Sequence, residues 1–175
     1  MKISIGNLTI TDFCSQNIEH VKFRTELAQD DSIYEFVSID IENDLHEVSN
    51  QEQLEFGNYY IIQEENRLVG CVYVELLSCE DKNVELRYAV HPEYRRMGYL
   101  GYSDQERKGY GEQILEECSH YLLTFDNIDS VDLHIRKDNE ASIGCAKKAK
   151  YKKIGENYNE YYDIYRIRKN VNYED

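Results

Sequence analysis

The fold is decided between Val84 and Thr124. The stretch opens Val84-Glu85-Leu86-Arg87-Tyr88-Ala89-Val90-His91-Pro92 and resumes at Lys108-Gly109-Tyr110-Gly111-Glu112-Gln113-Ile114-Leu115. Val84 to Val90 reads as a short apolar strand, which Pro92 terminates. The glycine turn at Lys108 to Gly111 opens directly into an amphipathic pattern of Ile114, Leu115, Cys118, Leu122 and Phe125, one face of a helix. Strand, glycine turn and helix together make a phosphate cradle. Glycine lets the backbone approach an anion closely, and the helix N-terminus offers unpaired N–H donors and partial positive charge. An ordinary strand-to-helix loop has the same outline, so the motif does not stand alone.

It gains weight from what surrounds it. Val90-His91-Pro92-Glu93-Tyr94-Arg95 followed by Lys108-Gly109-Tyr110-Gly111 resembles motif A of the GNAT superfamily of N-acetyltransferases. There a strand ending "V-x-P-x-Y/F-R" leads to "R/Q-x-x-G-x-G/A" and a helix. The chain departs from that pattern at residues 97–107, an insert of about eleven residues between the two halves. The insert carries its own near-copy, Met97-Gly98-Tyr99-Leu100-Gly101. The second copy is favoured as the anion site, because only it runs straight into the helix.

A later stretch resembles motif B of the same family, "N-x-x-A/S-x-x-x-x-x-K-x-G-F/Y". Asn139, Ser142, Lys148 and Tyr151 fit it, Lys150 stands where glycine is usual, and Ala146 stands where many members carry a thiol-protonating tyrosine. With Tyr88 in Glu85-Leu86-Arg87-Tyr88, the flavour is closest to the RimJ/RimL-like branch. The resemblance spans roughly Tyr59 to Arg168. It implies acetyl-CoA as acyl donor and an amine as acceptor.

Composition bounds the rest. The chain has 175 residues, suiting one domain over 1–175 with a tail at 170–175. Its net charge is −14, which disfavours a nucleic-acid surface and leans towards a cationic acceptor. No apolar run reaches membrane-span length and no signal peptide is visible, so the expectation is a cytoplasmic protein with no membrane partner. Five scattered cysteines (Cys14, Cys71, Cys79, Cys118, Cys145) with no C-x-x-C pair read as buried free thiols. His91 and His134 lack metal-like partners at i+3 or i+4, so no metal is expected.

Along the chain, Lys2 to Asp12 reads as one or two short strands, and Gln16 to Gln29 as a helix with Ile18, Val21, Thr25 and Ala28 at helical spacing and Leu27 beside them. Asp30 to Phe56 holds a short helix or two, where the family lines its acceptor cleft. Tyr59–Gln63, a Glu65-Asn66 turn, Leu68–Leu77 and Val84–Val90 form an antiparallel meander. Ser130–Arg136 is a strand, Asn139 caps a helix from Glu140 to about Lys150, and Tyr151–Ile154 pairs with Tyr161–Arg168. The expected fold is α/β, the GNAT order βααβββαβαββ. It has a mixed sheet of about six or seven strands and about four helices.

An amine with a lysine-like pKa near 10.4 is almost all ammonium at neutral pH; its neutral fraction is about one in a thousand, worth roughly 4 kcal/mol. A carboxylate acting through water is the usual remedy. Glu85 is the candidate base, at the position the resemblance implies; a salt bridge within the sheet is its plainer reading, and Glu75 is the second candidate. Backbone groups of Ala89 and Val90 would meet the pantetheine arm. N–H groups of Lys108, Gly109, Tyr110, Gly111 and Glu112 would hold the pyrophosphate, with charge from Arg107 and Lys108. Asn139 would reach the pantetheine from the far side. Homodimers are common in the family, though no residue pattern here decides that. The rival from another class is a non-catalytic acyl-CoA-binding or interaction module, motivated by the insert and by Ala146.

Overall fold

β-branched and aromatic residues in short runs, broken by polar turns, give this chain its strands. The computed structural model describes residues 2–5, 8–30, 59–78, 80–95, 108–156 and 160–169. Hydrogen bonding orders eight strands as β1-β2-β3-β4-β5-β6-β8-β7 in a mixed sheet. One strand more than expected arises because Lys2 to Asp12 folds back on itself as two strands, β1 (Lys2–Ile5) and β2 (Leu8–Asp12). Three α-helices occur among the described residues; the helices expected between Asp30 and Phe56 lie outside them. The chain divides into two units, Met1–Val74 with Arg87–Ile114, and Glu75–Leu86 with Leu115–Asp175.

In the first unit β2 pairs antiparallel with β3 (Tyr59–Glu64), and β3 with β4 (Arg67–Ser78). Glu65 takes a left-handed φ of 54° at the turn between them, as a two-residue hairpin requires. Helix α1 (Ile18–Ala28) starts at Asn17, whose side-chain oxygen accepts the Glu19 N–H at 3.0 Å. Its buried face is not the expected one. Ile18 is 77% exposed, while His20, Phe23, Arg24 and Leu27, spaced i, i+3, i+4, i+7, point inward. Two polar residues can turn in because the interior is prepared for them. The Arg24 guanidinium lies 4.7 Å from the Tyr59 ring centroid and 5.3 Å from that of Phe13. His20 Nδ1 accepts the Cys14 N–H. Phe23 and Leu27 then join Tyr59, Ile61, Cys71 and Ala89 in the core.

In the second unit β5 (Asn83–Val90) begins as a parallel partner of β6 (Ser130–Arg136), in register from Asn83↔Ser130 to Glu85↔Asp132. Helix α2 (Tyr110–Leu122) connects the two strands, the usual crossover for a parallel pair. Phe125, expected on this helix's stripe, lies beyond its end and is only half-buried. β6 pairs antiparallel along its whole length with β8 (Tyr162–Arg168), and β8 with β7 (Lys152–Glu156). The thiols are less uniform than expected: Cys71 and Cys118 are buried, Cys145 half-buried and Cys14 exposed. Burial pushes the Cys118 thiol up to about 12, so it is chemically inert.

Helix α3 (Glu140–Lys148) is capped at Asn139, whose side-chain oxygen accepts the Ser142 N–H at 3.1 Å. It ends in a Schellman arrangement, with Lys150 N–H donating to the Lys147 carbonyl and Tyr151 N–H to that of Ala146. The left-handed residue this demands is Lys150, φ 66°, the position where the family pattern has glycine. Its Cβ is strained there by about 1–2 kcal/mol. Lys150→Gly should therefore raise unfolding stability by about 1 kcal/mol at unchanged denaturant slope, while Lys150→Ala should give no such gain. Equal urea midpoints for all three chains would contradict this.

Candidate active site

The glycine turn enters α2 with no intervening residue: Gly109 is followed by Tyr110, the helix's first residue. The first intrahelical bond is from the Gln113 N–H to the Gly109 carbonyl, 3.1 Å. The N–H groups of Tyr110, Gly111 and Glu112 therefore have no acceptor within the helix. Among the described residues no heavy atom lies within 4 Å of where a Cβ on Gly109 would sit, and its φ is not left-handed. The protein's own packing thus gives no reason for glycine at 109. Gly144 and Gly155 are equally open, but neither precedes a helix N-terminus. An open position beside three donors with no acceptor in their own helix fits a pyrophosphate, and so fits coenzyme A. Lys108 and Glu112 are half-buried at the loop and already engaged with other residues. Arg107 and the first glycine copy lie outside the described residues.

The loop is anchored by a side chain whose role the sequence reading missed. Tyr110 points inward and is 3% exposed; its hydroxyl donates to Glu64 Oε2 at 2.6 Å. Arg67 Nη2 donates to the same oxygen from across the β3–β4 turn, and Arg67 in turn lies 6.0 Å from the Tyr94 ring centroid. Tyr94 meets the Tyr110 ring edge-on at 6.1 Å. Burial, then the Glu64 bond, raises the pKa of the Tyr110 hydroxyl, so it stays a donor at all ordinary pH. The sequence clue was a tyrosine between two glycines, where a small residue would suffice for a loop.

Ala89 and Val90 lie at the end of β5 in the same unit. The Ala89 carbonyl oxygen is 2.5 Å from where a Cβ on Gly70 would be, so only glycine fits at 70 on β4. The Val90 carbonyl accepts from Arg95 Nε at 3.1 Å, and Arg95 Nη2 reaches Asp30 Oδ1 at 3.1 Å. One lone pair of the Val90 carbonyl, a group proposed for the pantetheine arm, is therefore already used.

In the second unit Glu85 is buried at 4% exposure, with His134 Nδ1 3.5 Å from its Oε2. On the neighbouring β6 position Asp132 takes a bidentate pair from Arg166 (2.6 and 2.7 Å) and a bond from Asn83 Nδ2 at 2.9 Å. Asn83 Oδ1 accepts from Ser130. Asn139 has committed its oxygen to the helix cap, which leaves its amide N–H groups for a ligand. Ala146 is fully buried, and Tyr151 is sealed against Ser119, so neither stands as an exposed acid. Among the described residues no cluster of three or more His, Cys, Asp or Glu could hold a metal, and no helix is long and apolar enough to cross a membrane.

Comparison with known proteins bears on this geometry directly. Residues 7–152 match the acetyltransferase (GNAT) domain, and the chain belongs to that family, whose acyl donor is acetyl-CoA. Among solved structures it is similar to a GNAT-family acetyltransferase from Bacillus anthracis (18% identity, TM-score 0.69, covering 97% of this chain and 99% of that one). It is also similar to a spermidine N-acetyltransferase from Vibrio cholerae solved with CoA and spermine (15%, 0.65, 93% and 94%). A third is the Salmonella typhimurium acetyl transferase that modifies the N-terminal serine of ribosomal protein L7/L12 (17%, 0.68, 94% and 96%). The fold is thus the expected α/β GNAT fold.

Removing only the Tyr110 hydroxyl tests the anchor. Tyr110→Phe leaves a buried carboxylate short of one donor, which should lower stability by about 1–3 kcal/mol. It should also weaken coenzyme A binding without abolishing it, read by calorimetric titration. Unaltered stability and affinity would show that Glu64 does not hold the loop.

Proposed function

We propose that this chain is an acetyl-CoA-dependent N-acetyltransferase that passes the acetyl group directly to a primary amine. The observation that supports it is Gly109, a glycine that no packing among the described residues requires, beside three N–H donors with no acceptor in their helix. Bound acetyl-CoA supplies a thioester carbonyl open to attack by an amine. The N–H groups of Gly109, Tyr110, Gly111 and Glu112 hold its pyrophosphate; backbone groups of Ala89 and Val90 and the Asn139 amide align the pantetheine arm. Glu85 takes the proton from the ammonium through water, since only the neutral amine is nucleophilic. The thiolate, with an ordinary pKa near 8.5, departs without a dedicated acid, so Ala146 is no obstacle.

The acceptor classes in view are a protein N-terminus and a small amine such as a polyamine. Those are the acceptors named for two of the similar structures. A net charge of −14 favours a cationic acceptor at long range.

Thermal unfolding with coenzyme A tests the site. At a hundredfold excess over the dissociation constant, linkage supplies about 2.7 kcal/mol, or roughly 5–11 °C for a chain of this size. Gly109→Asp should keep the melting temperature of the free protein and lose that shift. An equal shift in both proteins would remove Gly109 from the cradle, and no shift in the wild type would overturn the enzyme reading. A shift with no turnover of any amine would instead support the non-catalytic acyl-CoA-binding module.

Glu85→Gln tests the base. It should lower kcat by about 10²–10⁴ with the KM for acetyl-CoA unchanged. The deficit should narrow as pH rises towards the acceptor's pKa, where free amine no longer needs a base. A flat deficit across pH would assign Glu85 a structural role instead.

A further inference from the structure

A groove of about 810 Å³ lies in the second unit between the C-terminal half of α2 and strands β7 and β8, and none of the residues assigned above to coenzyme A or to the base lines it. Lys150, Lys152, Arg168 and Lys169 line it, with Leu123, Ala149, Ile154 and Ile167. We propose that this groove docks an extended acidic segment of a partner protein.

The charges carry the inference. The chain has 34 Asp and Glu against 20 Lys and Arg, so most cations should find an internal partner. Four others in this unit do: Arg136 pairs with Asp138, Lys137 with Glu156, Lys153 with Asp163 and Arg166 with Asp132, whereas Lys82 and Lys147 stand apart from one another without an ion pair among the described residues. Lys150, Lys152 and Arg168 are exposed, line one groove, and make no ion pair among the described residues. Lysines on an edge strand commonly ward off strand pairing, and β7 is the terminal strand of the sheet. That accounts for Lys152 alone, since Lys150 precedes the strand and Arg168 is on the inner strand β8.

The apolar lining decides the kind of anion. Ile154 is 51% exposed, one of the few large aliphatic side chains left in solvent. A peptide whose acidic and aliphatic side chains alternate places carboxylates on the Lys152 and Arg168 side and apolar groups on Ile154 and Leu123. A nucleic acid offers phosphate without the aliphatic groups and meets the repulsion of the whole chain. Glu116 and Glu117 on the α2 wall set the orientation, because a carboxylate facing them is repelled.

The test is fluorescence anisotropy of a labelled peptide of alternating glutamate and leucine, titrated with the full chain. Saturable binding is expected, weakening as salt screens the charges. The double variant Lys152→Glu/Arg168→Glu should bind at least about tenfold more weakly while keeping the wild-type melting temperature and response to coenzyme A. No saturable binding overturns the proposal, as does equal binding by the variant or by a glutamine–leucine peptide. Displacement of the peptide by inorganic pyrophosphate alone would give the groove to a small anion. A dimer in sedimentation that disappears in the variant would give it to a second copy of this chain. Either result overturns a partner segment.

Discussion

A helix cannot satisfy its own first donors, and in this protein that constraint falls on α2. The N–H groups of Tyr110, Gly111 and Glu112 have no acceptor in the helix. Most helices meet this demand with a capping side chain, as α1 does with Asn17 and α3 with Asn139. α2 is entered instead through glycine, which has no side chain to cap with. The exception is costly unless an external acceptor uses the donors, and an anion at the N-terminus is the natural one. Rigidity is then needed so that the donors stay aimed together. Tyr110 supplies it by sending its side chain into the interior, where Glu64 accepts its hydroxyl and Arg67 offsets the buried carboxylate. Packing and the proposed site therefore meet in one residue: its backbone N–H lacks an acceptor in the helix, and its side chain fixes the turn.

A second group of buried polar residues has a different logic. Asp132 is 2% exposed, yet it is nearly fully satisfied by Arg166 and Asn83. A buried carboxylate with such partners contributes little net stability, but losing one partner would leave an uncompensated charge. The network lies at the start of the short parallel ladder between β5 and β6, where Glu85 is opposite Asp132. Two acids side by side in a sheet interior repel unless each has its own cation. Asp132 has Arg166, and His134 Nδ1 lies 3.5 Å from Glu85 Oε2.

The strands and the α2 helix were legible because their apolar periodicities are strong and their turns carry glycine, proline or asparagine. The glycine turn entering α2 was legible because glycine directly before an amphipathic run has a physical reason. Three features were not. The buried face of α1 contains His20 and Arg24, which no apolar stripe can reveal; the aromatic pair that accepts Arg24 comes from Phe13 and Tyr59, distant in sequence. The Tyr110–Glu64 bond joins residues 46 apart, a contact set by topology rather than by local pattern. The end of α3 was placed about two residues late, because Lys150 fits a helical pattern while its φ belongs to the cap. In each case a tertiary or backbone constraint overrode a local preference.

Charge distribution poses the last physical question: how a chain of net charge −14 binds an anionic coenzyme at all. Long-range repulsion is limited because the Debye length at physiological salt is about 8 Å, so distant surface acids are largely screened. Binding is then decided within the first few ångströms, where backbone N–H groups act and mobile counter-ions do not reach. Lys150, Lys152 and Arg168, exposed and without an ion pair among the described residues, line the groove beside β7 and β8. On the two readings proposed above, anion recognition by backbone, where geometry must be exact to a bond length, is separate from anion attraction by side chains, where only charge is required.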